Sequence, residues 1–231
     1  MRYCIGDIHG CIKTLDKLVT EIYKQDQNPE FYFVGDLIDR GPDSKAVIDF
    51  IIDLKANNNT QIVLGNHEVM LLNSYKNNLK ISDSIWQQNG AAKTLLSFNP
   101  NANLTLPANN FIPKKYYSFI ETLPFYIELK DYFIVHAGFN FNINEPFTDF
   151  ESMVWIREEQ YNSEFTKGKK IIHGHTTISV EQISKRLKSQ DLNNINIDSG
   201  CVYLQYNNLG NLSALNMDEL KLISVKNIDM I

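Results

Sequence analysis

The chain has 231 residues, 43% of them hydrophobic and 21% charged, with a net charge of −5. That length suits one domain, residues 1–231, with a large core. The acidic balance argues against a general nucleic-acid binder, which uses a basic face, and no apolar run approaches the roughly 20 residues of a membrane span.

Met1 to Asp7 lacks the layout of a signal peptide and enters a strand directly. Cys4, Cys11 and Cys201 show no metal-ligand spacing. An odd count without a signal points to reduced, buried thiols and a cytoplasmic protein.

Arg2–Ile5 reads as the first strand, ending in Gly6-Asp7-Ile8-His9-Gly10. Leu15, Leu18, Val19 and Ile22 recur at helical spacing, and Asn28-Pro29 breaks that helix. Phe31–Val34 is a second apolar strand, ending in Gly35-Asp36-Leu37-Ile38-Asp39-Arg40-Gly41. A helix with Ser44 as N-cap follows, its apolar side formed by Val47, Ile48, Ile51, Ile52 and Leu54. Gln61–Leu64 is the third strand, followed by Gly65-Asn66-His67-Glu68 and a helix through Val69, Met70 and Leu72. Three strand–loop–helix repeats imply an α/β fold with a parallel sheet.

Beyond Ser74 the periodicity loosens. Residues 82–98 look partly helical, 99–110 form a long loop, and Tyr116–Leu123 a short helix. The stretch 74–123 is a candidate cap or substrate-recognition segment. Phe125–Leu129 and Tyr132–Val135 flank a two-residue turn, Lys130-Asp131, and the second strand ends in His136-Ala137-Gly138. Trp155-Ile156-Arg157-Glu158 reads as a short helix or turn, and Lys169–Ile172 as a strand ending in His173-Gly174-His175-Thr176. Ile195 and Ile197, then Val202, Leu204 and Tyr206, then Leu212–Leu215 suggest a run of antiparallel strands.

Five apolar strands thus end in Asp7/His9, Asp36/Asp39/Arg40, Asn66/His67, His136 and His173/His175. All five histidines lie in these strand-end loops. Histidines placed for packing have no reason to collect there, whereas α/β sheets bind ligands at carboxyl strand ends. Mixed imidazole, carboxylate and amide donors suit borderline divalent ions: Mn first, with Fe, Zn, Co or Ni as alternatives. The donors exceed the needs of one ion; a pair sharing a carboxylate uses them all and suits displacement at phosphorus. Arg40 and Arg157 then match phosphate oxygens.

Asp-x-His, Gly-Asp-x-x-Asp-Arg and Gly-Asn-His-Glu, in that order, resemble the phosphoprotein phosphatase family of the calcineurin-like metallophosphoesterases in its compact bacterial and phage form. His-Ala-Gly, Trp-Ile-Arg-Glu, Gly-His-Thr and Ile-Asp-Ser-Gly-Cys extend the resemblance over nearly the whole chain. It implies a central β-sandwich of mixed sheets flanked by helices. Asp7 and His9 would hold one metal, Asp36 would bridge, and Asn66, His136 and His175 would hold the second. His67, oriented by Asp39, would be the general acid. Arg40 and Arg157, with Asn66, would grip the phosphoryl group, and attack would come from metal-bound hydroxide without a phosphoenzyme. His173 is one histidine more than this scheme needs; it either supports the ligands from behind or simply ends its strand.

Relatives with this site act on phosphoproteins or on dinucleoside polyphosphates such as diadenosine tetraphosphate. Glu68, where the diadenosine-tetraphosphate hydrolases tend to have Asp, tilts the expectation toward phosphoserine and phosphothreonine in proteins. A metal-free scaffold would require broken ligands, and every expected ligand is present.

Overall fold

The computed structural model describes residues 1–189 and 192–230. Strand β1 (Arg2–Ile5) leads to α1 (Ile12–Tyr23), β2 (Glu30–Phe33), α2 (Ser44–Asn57), β3 (Thr60–Ile62) and α3 (Asn66–Lys76). Short helices α4 (Ile85–Gln88), α5 (Ala91–Phe98) and α6 (Lys114–Glu121) precede the hairpin of β4 (Tyr126–Glu128) and β5 (Tyr132–Val135). Then come α7 (Phe150–Trp155), α8 (Ser163–Thr166), β6 (Lys170–His173), α9 (Val180–Leu187), β7 (Asn194–Asn196), β8 (Asn211–Asn216) and β9 (Lys221–Lys226).

The strands form two mixed sheets, ordered β3-β2-β1-β8-β9 and β4-β5-β6-β7. Period-two alternation assigns each strand's side chains to two layers. Cys4, Tyr32, Val34 and Val63 meet Tyr132, Ile134, Ile172 and Ile195 between the sheets. Tyr3, Ile5, Phe31, Phe33 and Ile62 face outward onto α1 and α2. Phe133, Val135 and Ile171 pack outward on Phe139 and Met153. The expected sandwich of mixed sheets with flanking helices is therefore present. β1, β2 and β3 run parallel, as do β5, β6 and β7. Their carboxyl ends meet: the His136 ring, just past β5, contacts the Val34 carbonyl, just past β2, at 2.8 Å.

Four local expectations change. Asp43, not Ser44, caps α2, its carboxylate accepting from the Ala46 amide at 2.9 Å; the Ser44 hydroxyl accepts from the Asp39 amide. Residues 202–206 form turns between β7 and β8, because Gly200 and Gly210 close a loop through the Gly210 amide and Gly200 carbonyl at 2.9 Å. β7 is parallel to β6, and the additional strand is β9. The helix at 155–158 ends at Trp155, leaving Arg157 on an irregular segment.

The 74–123 stretch packs Ile81, Trp86, Ala91, Leu95, Ile112, Tyr116 and Ile120 into the same cluster as β1 and β2. Each large apolar side chain so buried contributes about 1.5–3 kcal/mol, so the stretch is docked firmly against the sheet. Near the chain's end, Asp229 accepts from the Lys13 and Thr14 amides, each at 2.8 Å, and from the Thr14 hydroxyl. It caps α1, which has no side-chain cap of its own. Asp229→Ala should therefore lower stability by about 1–2 kcal/mol, read as a shifted urea midpoint; an unchanged midpoint would show the cap to be idle.

Candidate active site

The strand-end loops bring their polar side chains to one place. Asn66 Oδ1 lies 3.0 Å from His136 Nε2 and 3.2 Å from His175 Nδ1, and those nitrogens are 3.2 Å apart. Asp36 Oδ1 is 3.5 Å from His136 Nε2. Asp36 Oδ2 faces the other way, 3.6 Å from His9 Nε2 and 3.9 Å from His67 Nε2. Two groups of donors result, His9/Asp36/His67 and Asp36/His136/His175, each with its atoms within 4.8 Å of one another. Asp36 belongs to both.

This donor set fits divalent cations. The Nδ1 atoms of His9 and His136 donate to the carbonyls of Ile38 and Val34 at 2.9 and 2.8 Å. That places the proton on Nδ1 and leaves Nε2 as a lone pair facing the centre. Asp7 adjoins the cluster: its Oδ2 accepts from the His175 amide at 3.1 Å, while its Oδ1 is buried without a partner. Opposed lone pairs in a buried space are costly unless cations lie among them.

The histidines divide by charge state. Burial, reinforced by neighbouring positive charge, pushes His9 well down, and burial lowers His136 and His173. Burial and then His136 push His175 down to about 3. These shifts favour the neutral form, which a metal ligand among His9, His136 and His175 would need. His67 alone is raised: burial opposes protonation, but the Asp36 charge and the Asp39 hydrogen bond outweigh it. Opposite shifts within one site suit a division between ligand and acid roles. Burial would raise Asp36; attraction to the surrounding imidazoles in their protonated forms, His136 first and then His67, draws it below the usual carboxylate range. Where His9, His136 and His175 are neutral, that attraction falls to His67 and to bound cations.

Backbone strain concentrates here. His9, Asp36, Asp39, Arg40 and His175 have φ between 50° and 71°, a region non-glycine residues rarely occupy. Two glycines make room for the ligands. A Cβ on Gly65 would sit 2.2 Å from Asp36 Oδ1, and one on Gly174 2.0 Å from Asp7 Oδ1.

Other sequence-selected residues divide. Arg40 reaches the cluster, its guanidinium donating to His9 Nε2 at 2.7 Å. Arg157 is exposed and close enough to His175 to lower its pKa; the neighbouring Glu159 pairs with Arg186 instead. His173 points away from the cluster, its Nε2 3.9 Å from Glu159. Glu68 does not face the cleft. Its carboxylate accepts from the amides of Asp36, Leu37, Ile38 and Gly65 at 2.8–3.3 Å and scaffolds the loop beneath the ligands. Its side chain therefore does not contact substrate from the cleft directly.

Asp198, named in the sequence only as part of Ile-Asp-Ser-Gly-Cys and given no role there, adjoins the cluster. It is buried just beyond β7, its Oδ1 accepting from the Gly200 amide at 2.9 Å. Burial and then the Asp36 charge raise it to about 7, and its own charge in turn raises Asp7. The signal was present: Ile197-Asp198 is a sixth apolar strand ending in a polar side chain, and the third, after those before Asp7 and Asp36, to end in an acid. Thr94 and Trp86, both donating to Asp39, were likewise unassigned.

A family model described as calcineurin-like phosphoesterase matches residues 3–209. The asymmetrical bis(5′-nucleosyl)-tetraphosphatase PrpE of Oceanobacillus iheyensis is 27% identical, over 96% of this chain and 90% of its own length. The symmetrical bis(5′-nucleosyl)-tetraphosphatase of Legionella pneumophila is 46% identical over 70 residues, 30% of this chain and 25% of that protein. A protein serine/threonine phosphatase structure from Saccharomyces cerevisiae superposes with a TM-score of 0.65 at 16% identity, over all of this chain and 81% of the other; at that identity it shares the fold alone.

Replacing the shared carboxylate tests the arrangement. Asp36→Asn should weaken Mn binding in calorimetric titration by more than about a hundredfold, and phosphate release with it. Near-normal turnover would rule out a shared ligand.

Proposed function

The chain belongs to the calcineurin-like phosphoesterase family, and within it we propose that this protein is a two-metal hydrolase of dinucleoside polyphosphates, diadenosine tetraphosphate being the model substrate. The observation that carries the substrate class is the relative matched along nearly the whole chain, a bis(5′-nucleosyl)-tetraphosphatase. The case for phosphoproteins rested on Glu68, which is buried among loop amides.

Asp7, His9 and Asp36 are the proposed ligands of one ion, and Asp36, Asn66, His136 and His175 those of the other. Divalent ions there, with Mn the first expectation, supply water activation and neutralise phosphate charge. The residues do the rest. Arg40 and the exposed Arg157 bind non-bridging phosphate oxygens, with Asn66 beside them. His67 carries its transferable proton on Nε2, since Nδ1 bonds Asp39 at 2.6 Å. Nε2 is buried without a protein partner, so its proton is held for the leaving oxygen. A phosphate leaving group needs that proton less than a serine alkoxide does.

The loop after β7 supports a nucleotide. The Arg40 guanidinium lies over the Tyr203 ring at 5.7 Å, and the Tyr206 ring follows at 6.2 Å, with Tyr206 57% exposed. Aromatic faces beside a phosphate-binding arginine suit a nucleobase.

Steady-state kinetics with Mn should give a kcat/KM for diadenosine tetraphosphate at least about tenfold above that for a phosphoserine peptide. ATP plus AMP would mark asymmetrical cleavage, and two ADP symmetrical cleavage; preference for the peptide would overturn the substrate assignment. Tyr206→Ala should raise KM for the dinucleotide about fivefold or more and leave p-nitrophenyl phosphate unaffected; equal effects on both would remove the base contact. His67→Asn should slow the phosphoserine peptide far more than p-nitrophenyl phosphate; equal losses would remove His67 from the acid role.

A further inference from the structure

The 74–123 stretch touches the cluster through two side chains that the scheme above does not use. Trp86, on α4, is fully buried, and its Nε1 donates to Asp39 Oδ2 at 2.6 Å. The same oxygen accepts from His67 Nδ1, also at 2.6 Å. Thr94, on α5 and fully buried, donates its hydroxyl proton to Asp39 Oδ1. The Thr94 oxygen meanwhile accepts from the Asp39 amide at 2.9 Å. It therefore binds backbone and side chain of the same residue, which fixes the carboxylate's rotation. Ser44 completes the set, its Oγ 2.9 Å from Thr94 Oγ1 and 3.0 Å from the Asp39 amide nitrogen.

The donor inventory has a consequence. An indole N–H can only donate. With Trp86 aimed at Oδ2 and Thr94 at Oδ1, both oxygens act as acceptors, the arrangement an ionised carboxylate serves best. His67 Nδ1 is then the donor in the shared contact, and the imidazole's other proton is the one on Nε2. A tyrosine or glutamine at position 86 could both donate and accept and would leave the assignment open. Asp39 and His67 are both fully buried, so water cannot replace a lost donor. The surrounding backbone is held as tightly: Asp39 and Arg40 have φ of 71° and 67°, and a Cβ on Gly90, between the two helices, would meet the Arg40 nitrogen at 2.9 Å.

We propose that Trp86 and Thr94 are positioning residues for the general acid, holding Asp39 in the one orientation that pins the His67 ring with Nε2 toward the leaving oxygen. This rests on the proposed acid role of His67. In the step served, the phosphorus–oxygen bond breaks, its electron pair stays on the leaving oxygen, and the Nε2 proton transfers there. Asp39 remains a carboxylate throughout. The 74–123 stretch acts in this scheme as a strut under the acid, and its apolar docking serves to present these two donors.

The test uses variants that keep volume and remove one donor, Trp86→Phe and Thr94→Val, in the metal-loaded enzyme. Turnover of a phosphoserine peptide should fall about tenfold or more, as expected for losing a bond to a buried charge. Turnover of p-nitrophenyl phosphate, whose leaving group needs no proton, should fall by less than about threefold. KM and bound metal should not move, and Thr94→Ser should restore the peptide rate. In proton NMR of the metal-free protein, the far-downfield His67 Nδ1–H resonance should move upfield in Trp86→Phe. Equal losses on both esters, or none, with an unmoved resonance, would make both residues packing groups only. His67→Asn measured alongside separates the two claims. If it slows both esters equally, the acid assignment fails and takes this inference with it. If it separates the esters while Trp86→Phe and Thr94→Val do not, the positioning claim alone is overturned. Should Trp86→Phe fail to fold, Thr94→Val reads the same split.

Discussion

The structure depends on keeping Asp36 ionised in a place that excludes water. Burial works against its charge, and of the four rings around it, His136, His67, His9 and His175, only His67 is shifted toward the charged form that offsets the cost; cations between the two donor groups would do the rest. Each ring reaches Asp36 only because a different element ends at the same edge. His9 follows β1, His67 begins α3, and His136 and His175 follow β5 and β6. Two mixed sheets with aligned carboxyl ends meet that demand. Strain at Asp36, Asp39 and Arg40 is tolerated because the four amide bonds to Glu68, together with Ser44, Thr94 and Trp86, leave the loop no alternative.

Within that frame, one chemical type is held in two electrostatic states, which the proposed function assigns to two roles. Neutral His9, His136 and His175 present lone pairs, while His67, facing both Asp36 and Asp39, is driven the other way. The difference comes from what lies behind each ring: a main-chain carbonyl behind His9 and His136, a carboxylate behind His67. A carbonyl fixes a tautomer; a carboxylate also supports a positive charge.

Much of this was legible in the sequence because the chemistry is local. Gly-Asp-x-x-Asp-Arg and Gly-Asn-His-Glu place their functional side chains within a few residues of an apolar strand, so strand pattern and site appear together. What escaped was set by distant contacts. Asp229 caps a helix more than 200 residues earlier, β7 runs parallel because of its place beside β6, and Trp86 meets Asp39 across a weakly periodic stretch. The role of Glu68 was hidden for a related reason. In the sequence this residue was weighed only as a difference from the Asp of diadenosine-tetraphosphate hydrolases, and the fold shows it turned inward onto amides. Asp198 was discernible as the acid at a sixth apolar strand end, but the apolar alternation around it was equally compatible with antiparallel strands.

The central claim is that one buried carboxylate holds two ions. Metal stoichiometry of the Mn-loaded chain, by native mass spectrometry with elemental analysis, tests it most directly. The account predicts two ions per chain in the wild-type protein, lost together when chelator removes the tighter one. A single ion at saturation, with full phosphoesterase activity, would contradict it.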